Sequence, residues 1–182
     1  MRAGESMEKE MRPFLTAAGF ALALTSIPAL AEDAKPNDAQ IAHIAYTAGV
    51  IDVKAAQLAL QKSKNKEVRD FAEDMVRDHT AVNDQALALV KKLHVTPQDN
   101  PTSQSLSKDA AAKLKSYAAL KGKAFDKAYI DNEVAYHKTV NGALQSTLIP
   151  NARNAELKGL LQTGLKLFTE HQHHAEHLAA EL

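Results

Sequence analysis

Residues 66–93 read KEVRDFAEDMVRDHTAVNDQALALVKKL. Placed at ~100° per residue, Val68, Phe71, Ala72, Met75, Val82, Ala86, Leu89 and Leu93 fall on one stripe, and the charged residues fall opposite. With no Gly or Pro to interrupt it, the stretch predicts a long amphipathic helix that must bury one face against other helices. One residue breaks the apolar pattern: His79 lies near the centre of the stripe, with Asp78 beside it in position to orient the ring.

The same 3.6-residue period appears in three further long segments. A helix is predicted from Asp38 to about Lys62, the quoted one follows Asn65 as N-cap, another covers about Lys123 to Leu148 and ends at Pro150, and the last runs from beyond Asn151 to the C-terminus. A shorter helix, about Ser107 to Lys121, follows VTPQDNPTSQS, Val95 to Ser105, which reads as a crossing loop. Short turns make the first two and the last two long helices antiparallel hairpins, and the long link between hairpins is a crossover. The expected fold class is all-α, an up-down four-helix bundle with a long crossover carrying a short extra helix.

Composition agrees. Aromatic residues are 5% of the chain, and Cys and Trp are absent, which favours helix over sheet and leaves stability to packing without disulfides. The 182 residues suffice for one domain with a real core. Phe14 to Leu30 reads FLTAAGFALALTSIPAL, with Arg12 before it and Ala29-Leu30-Ala31 at its end. That pattern predicts a signal peptide over residues 1–31, cleaved after Ala31, with Met1, Met7 or Met11 as the start and 32–182 as the mature periplasmic domain. The run is shorter than the ~20 apolar residues of a spanning helix, so no transmembrane segment is expected in the mature chain. The leader carries equal numbers of acidic and basic residues, so the chain is formally neutral with or without it. Nucleic acid, which needs clustered positive charge, is a poor partner. An envelope protein or a second copy of the chain fits better.

No Gly-rich phosphate loop, nucleophile elbow or Cys-based metal motif occurs. The chemistry lies instead in ionisable residues on faces that must be buried. Asp52 sits among Ile41, Ile44, Ala45, Ala48, Ala55 and Ala59. Glu133 and His137, spaced i and i+4, interrupt Ile130, Val140, Leu144 and Leu148. In the last helix the stripe is Leu157, Leu160, Leu161, Gly164, Phe168, Ala175, Leu178 and Leu182, with His171 inside it and His174 at its margin. Glu170, His173 and His177 project outward, so Glu170-x-x-His173 copies a di-iron spacing on the wrong face. Each long helix thus offers an ionisable group to the interior. Burying an unpaired charge costs several kcal/mol, so these groups are expected to meet. At ~1.5 Å per residue Asp52 and His79 lie ~15 and ~20 Å from the turn joining their helices, which permits convergence in mid-bundle.

Imidazole nitrogen and carboxylate oxygen together suit Fe, Mn, Zn or Cu. The expected ligands are His79, His137 and His171 with Glu133, Asp52 or both, supported by Asp78 and His174. Two other readings stand beside this one. The polar residues form a hydrogen-bonded core in a structural or envelope-interaction protein, or Glu170, His173, His174 and His177 chelate Cu, Ni or Zn loosely at the exposed face of the C-terminus. Enzymatic activity is left open, since imidazole beside carboxylate supports acid–base work but no substrate pocket or cofactor signature is visible.

The Ala48-Gly49-x-x-Asp52 step, Val68-x-x-Phe71-Ala72-x-x-Met75, Asp78-His79-Thr80, Phe125-Asp126-x-x-Tyr129, His137 and Glu170-His171 together resemble the exported ferritin-like proteins of the domain of unknown function 4142 family, often labelled outer membrane proteins. The likeness spans about Asp38 to Leu178. It implies a ferritin-like bundle in the periplasm, with Asp126 and Tyr129 beside the site, and it supplies no activity. Ferritin-type di-iron proteins carry two inward Glu-x-x-His pairs, which this chain lacks, so iron storage and di-iron oxidation are disfavoured.

Overall fold

The computed structural model describes residues 35–182. The leader expected over residues 1–31 lies outside them. The described residues form α1 (Asp38–Lys62), α2 (Lys66–Lys92), α3 (Pro101–Ala118), α4 (Gly122–Ala143), a π-helical turn (Leu144–Leu148), the single turn α5 (Ile149–Asn151) and α6 (Ala155–Glu181).

Asparagine starts four of these helices. The side chains of Asn37, Asn65, Asn100 and Asn154 each accept from backbone N–H groups of the first turn, satisfying donors that a helix start leaves without partners, at about 1 kcal/mol each. Asn37 and Gln40 complete a reciprocal capping box. At its other end α2 closes with His94 in the left-handed region, φ 53°. The N–H of Val95 reaches the Val90 carbonyl and that of His94 the Lys91 carbonyl, a Schellman closure in a place that usually takes glycine.

The boundaries of α3 and α4 differ from the sequence reading. Helix α3 begins at Pro101, within the segment read as loop. Asn100 caps it and Pro101 takes its first position, where a missing N–H costs nothing. Helix α4 does not run unbroken to Leu148: Pro150 cannot donate to the Ser146 carbonyl, and the chain widens into the π turn, with the Ile149 N–H bonded to the Leu144 carbonyl. Pro150 therefore sits inside a last turn of helix. Helix α6 starts beyond Asn151 as read, at the Asn154 cap.

Helices α1 and α2 pack as one antiparallel hairpin and α4 and α6 as the other, with α2 beside α6 and α1 beside α4. Contacts at the two ends set the directions. The link after α2 returns to the start of α1, where the Gln98 N–H bonds the Ala39 carbonyl, and α3 then travels the length of α1 until Lys62 reaches the Ala118 carbonyl at 2.8 Å. At the first end Asp38 accepts from the N–H groups of Arg153 and Asn154 at 2.8 and 2.9 Å, tying α1 to the α5–α6 turn. The architecture is a ferritin-like four-helix bundle whose crossover is α3.

The apolar core comes in two parts. Ala55, Ala56, Ala59, Val68, Phe71, Ala72, Met75, Tyr117, Phe125, Tyr129, Ile130, Ala175 and Leu178 pack toward the α1–α2 turn. Ile41, Ala42, Ile44, Leu144, Leu148, Ala152, Leu157, Leu161 and Phe168 pack toward the opposite end. At roughly 1.5–3 kcal/mol per large side chain, these clusters hold the bundle together. A layer of buried polar side chains, one or more from each long helix, lies between them.

Candidate metal centre

The polar layer follows from helix period alone. Asp52 of α1, His79 of α2, Glu133 and His137 of α4 and His171 of α6 each occupy an inward position among apolar neighbours, and each is at most 6% exposed. The three imidazole centroids form a nearly equilateral triangle with sides of 5.4, 5.6 and 5.6 Å. Phe168 stacks on His79 at 4.4 Å with 6° between the rings, closing that face with apolar surface.

Two of the imidazoles have one nitrogen engaged from outside the triangle. His137 Nδ1 lies 3.0 Å from the Glu133 carbonyl oxygen, which only accepts, so Nδ1 carries the proton and Nε2 keeps its lone pair. His171 Nε2 lies 3.0 Å from Asp78 Oδ2, so its Nδ1 is the free nitrogen. Arg77 grips the same Asp78 carboxylate through two bonds of 2.8 and 3.0 Å. The nitrogens left over, His137 Nε2 and His171 Nδ1, are buried without a hydrogen-bond partner, as are both nitrogens of His79, both oxygens of Asp52 and Oε2 of Glu133. Buried polar atoms are normally paired, so this many in one layer call for a common partner.

The spacing among them is that of ligands. Asp52 Oδ2 is 3.4 Å from His79 Nε2 and 3.6 Å from His137 Nε2. Four ligands ~2.0–2.1 Å from a tetrahedral ion lie roughly 3.4 Å apart from one another. One ligand atom each from His79, His137 and His171 lies within 4.8 Å of the others, and the same holds for Asp52, Glu133 and His137. His137 belongs to both groups, with Asp52 Oδ2 3.6 Å from its Nε2 and Glu133 Oε2 3.6 Å from its Nδ1.

Burial sets the charge. It pushes the Asp52 carboxyl up to about 8 and holds Glu133 well above the usual carboxylate range, with repulsion from Asp52 adding to the effect. Burial also drives His137 down to about 4, against its bond to the Glu133 carbonyl, and lowers His79 well below the imidazole value, helped by the two other rings. For His171 burial outweighs the opposing pull of Asp78 and the net direction is down. At neutral pH the metal-free layer therefore holds neutral carboxyls and neutral imidazoles. Such a set can release two protons to a dication.

Asp78 was expected to orient His79, its neighbour in sequence. Across a helix interface it holds His171 instead, because consecutive residues diverge by ~100° on a helix and Asp78 faces α6. Tyr129 is fully buried next to the layer, and its hydroxyl is held well above the usual phenol value by burial and then by Glu133 and Asp52. The structure does not bring Asp126 or His174 to the cluster. Asp126 lines a cavity with Lys62, Lys64 and Lys121 at the α1–α2 turn, two helical turns before Glu133, and His174 is exposed with its ring edge on Phe71 at 5.2 Å. Glu170, His173 and His177 are exposed as read from the sequence.

Three polar residues went unread. Asn83 is 8% exposed and presses on Gly49, where a Cβ would come within 2.3 Å of its Oδ1. Asn141 donates to the Phe168 carbonyl at 3.2 Å and to Gln172 at 3.1 Å. The Tyr136 hydroxyl donates to the Ala48 carbonyl at 2.9 Å. Asn83 and Asn141 stand four residues, one turn, beyond His79 and His137, which was the signal available.

The model of the family described as "Domain of unknown function (DUF4142)" matches residues 24–178. The chain belongs to that family. No curated protein matches this DUF4142 chain. Among solved structures it is similar to a DUF305 protein from Streptomyces coelicolor thought to be secreted, at 14% identity and TM-score 0.67, over 79% of this chain and 92% of that one. It is also similar to CopM in its Cu(II)-bound form, at 13% identity and TM-score 0.62, over 81% and 98%. At these identities the likeness is one of fold. DUF4142 membership agrees with the resemblance carried by the sequence motifs, and no helix of the described residues is long and apolar enough to cross a membrane.

Proposed function

We propose that this protein is an exported metal-binding bundle that holds one transition-metal ion in the polar layer, through His79, His137 and His171 with Asp52 and Glu133 as the carboxylate donors. The observation that carries this reading is the set of buried orphaned nitrogens and oxygens lying at ligand-to-ligand separations. A purely structural polar core would pair these atoms with each other, because an unsatisfied buried polar group costs ~1–3 kcal/mol. Here Asp52 stands near two imidazoles without an aligned bond to either.

Three neutral imidazoles and a carboxylate fit Cu(II) and Zn(II) best, the two ions at the strong end of the divalent series for such donors. Copper is the ion to try first, since a protein of the same fold has been captured with Cu(II). Burial of the centre and its outer support by Asp78 and Arg77 favour retention of the ion over its rapid exchange, which suits metal handling or protection against metal stress in the periplasm. Export is supported by the leader pattern over residues 1–31, and its direct check is N-terminal sequencing of the mature chain, expected to begin at Glu32.

The binding test uses mature protein purified without chelator and loaded with Cu(II) or Zn(II). Elemental analysis should find about one tightly held ion per chain, lost when His79, His137 and His171 are changed together to Gln. Replacing His173, His174 and His177 by Gln should leave that ion in place. If this second variant alone removes the metal, the ion belongs to the exposed tail.

A further inference from the structure

Below the polar layer lies a chamber of about 190 Å³, between α1, α2, α4 and α6 and roofed in part by Thr102 and Leu106 of α3. Its wall is made by such side chains as Ala45, Val82, Leu157, Leu161 and Phe168, and at its inner end stand Asp52 and His79. It explains why Val82 and Ala86, which line it, are only half-buried although they continue the stripe of Val68, Phe71 and Met75.

We propose that this chamber binds a small neutral molecule with a largely apolar body, about the size of a substituted benzene, and one hydrogen-bonding end directed at Asp52 and His79. Size is the first argument: an apolar cavity of about 150 Å³ in another protein stays dry and takes up benzene, and this one is larger. Chemistry at its inner end is the second. Asp52 and His79 are 1% and 3% exposed, both line the chamber, and Asp52 Oδ1 and Oδ2 and His79 Nδ1 and Nε2 have no hydrogen-bond partner. A pocket that is apolar along its wall with a few convergent polar atoms at one end is the usual form of a small-molecule site. With no Lys or Arg in its lining, the chamber offers nothing to neutralise an anion.

A surface groove adjoins the chamber on the α3 side. Leu106, Tyr136 and Thr139 line both the chamber and a surface groove between α1, α3 and α4. The Tyr136 ring stands in the partition, its hydroxyl tied to the Ala48 carbonyl.

Occupancy of the chamber does not require the ion. Only the identity of the group that meets the polar end, the ion or the Asp52–His79 pair, rests on the metal reading. Phenol and toluene, nearly equal in shape, serve as probes, with benzoate as the charged comparison. Each is titrated into metal-free and Cu(II)-loaded or Zn(II)-loaded protein, followed by isothermal calorimetry and, in the metal-free and Zn(II) forms, by NMR shifts of Ala45, Val82 and Leu161. The expected result in metal-free protein is saturable binding of phenol at least threefold tighter than toluene, with no binding of benzoate. The chamber-filling variants Ala45→Leu and Val82→Phe should each weaken phenol tenfold or more while keeping the wild-type metal content and helical signal. If one of them fails to fold, the other decides. Failure of phenol and toluene to bind up to their solubility, equal binding of the two, binding of benzoate, or indifference to a folded chamber-filling variant overturns the proposal. Absence of metal uptake alone overturns the metal centre and leaves the phenol result in metal-free protein standing.

Discussion

His171 on α6 gives its Nε2 proton to Asp78 on α2 across 3.0 Å, and the Arg77 guanidinium holds the far side of the same carboxylate. This chain of contacts runs from the surface to the polar layer and fixes which His171 nitrogen faces inward. Replacing Asp78 with Asn keeps the shape and removes the charge that favours this tautomer. Chelator competition should show metal affinity reduced about 10- to 100-fold, with stoichiometry unchanged at saturating metal. Unaltered affinity would mean that His171 is oriented by packing alone.

The pH response of the metal-free protein follows from the opposed shifts in the layer. His79, His137 and His171 have lowered folded values, so the unfolded chain binds protons that the fold refuses. Their contribution is complete above about 6.5, the ordinary imidazole value, and is lost as pH falls toward about 4, the folded value of His137. Asp52 and Glu133 have raised values, so their contribution is present below about 4 and is lost as pH rises through about 8, the folded value of Asp52. Three imidazoles oppose two carboxyls below pH 6.5, and above it the carboxyls act alone. The thermal midpoint of metal-free protein should therefore decline from pH 6.5 toward pH 8, and saturating metal should abolish the decline, since the ion replaces the carboxyl protons. A midpoint that keeps rising through pH 8 without metal contradicts these assignments.

Gly49 lets α1 approach α2 closely enough for Asn83 to lie against its backbone. Gly49→Ala places a methyl where Asn83 Oδ1 now sits, and urea unfolding should show a loss of about 1–3 kcal/mol. Adding Asn83→Ala to that variant should restore part of the loss. If the double variant is no better than the single one, the clash lies elsewhere.

His94 closes α2 with a positive φ that an L side chain adopts at a cost of about 1–2 kcal/mol. His94→Gly removes that cost and adds some unfolded-state entropy, so urea unfolding should show a gain of about 0.5–1 kcal/mol, with metal content unchanged.

The sequence was most legible where helix period and burial coincide. The stripe of α2 placed Val68, Phe71, Met75 and His79 inward, and the structure buries all four. The full span of α1 followed from the same logic. What escaped depends on relations between helices. Asp78 turns toward α6 because of how α2 and α6 are set beside each other, which no pattern within α2 encodes. The half-burial of Val82 and Ala86 reflects a chamber enclosed by several helices, and the stripe looked continuous there. Asn83 and Asn141 escaped notice because neither residue type carries a charge that burial would make conspicuous. Asp126 was linked to the site by its motif, yet rise along α4 places it two turns away from Glu133. The early start of α3 was missed because a proline that ends one segment can equally open the next, and Asn100 before Pro101 was the sign of the second case.

The central claim is that the polar layer binds one ion between the helices. It is tested most directly by anomalous diffraction from crystals of the mature protein loaded with Cu(II) or Zn(II), recorded at the absorption edge of the metal. The account predicts a single strong peak about 2.0–2.2 Å from nitrogens of His79, His137 and His171, with an oxygen of Asp52 or Glu133 beside it. A layer without a peak in metal-saturated crystals, or density confined to the exposed His173, His174 and His177, would contradict it.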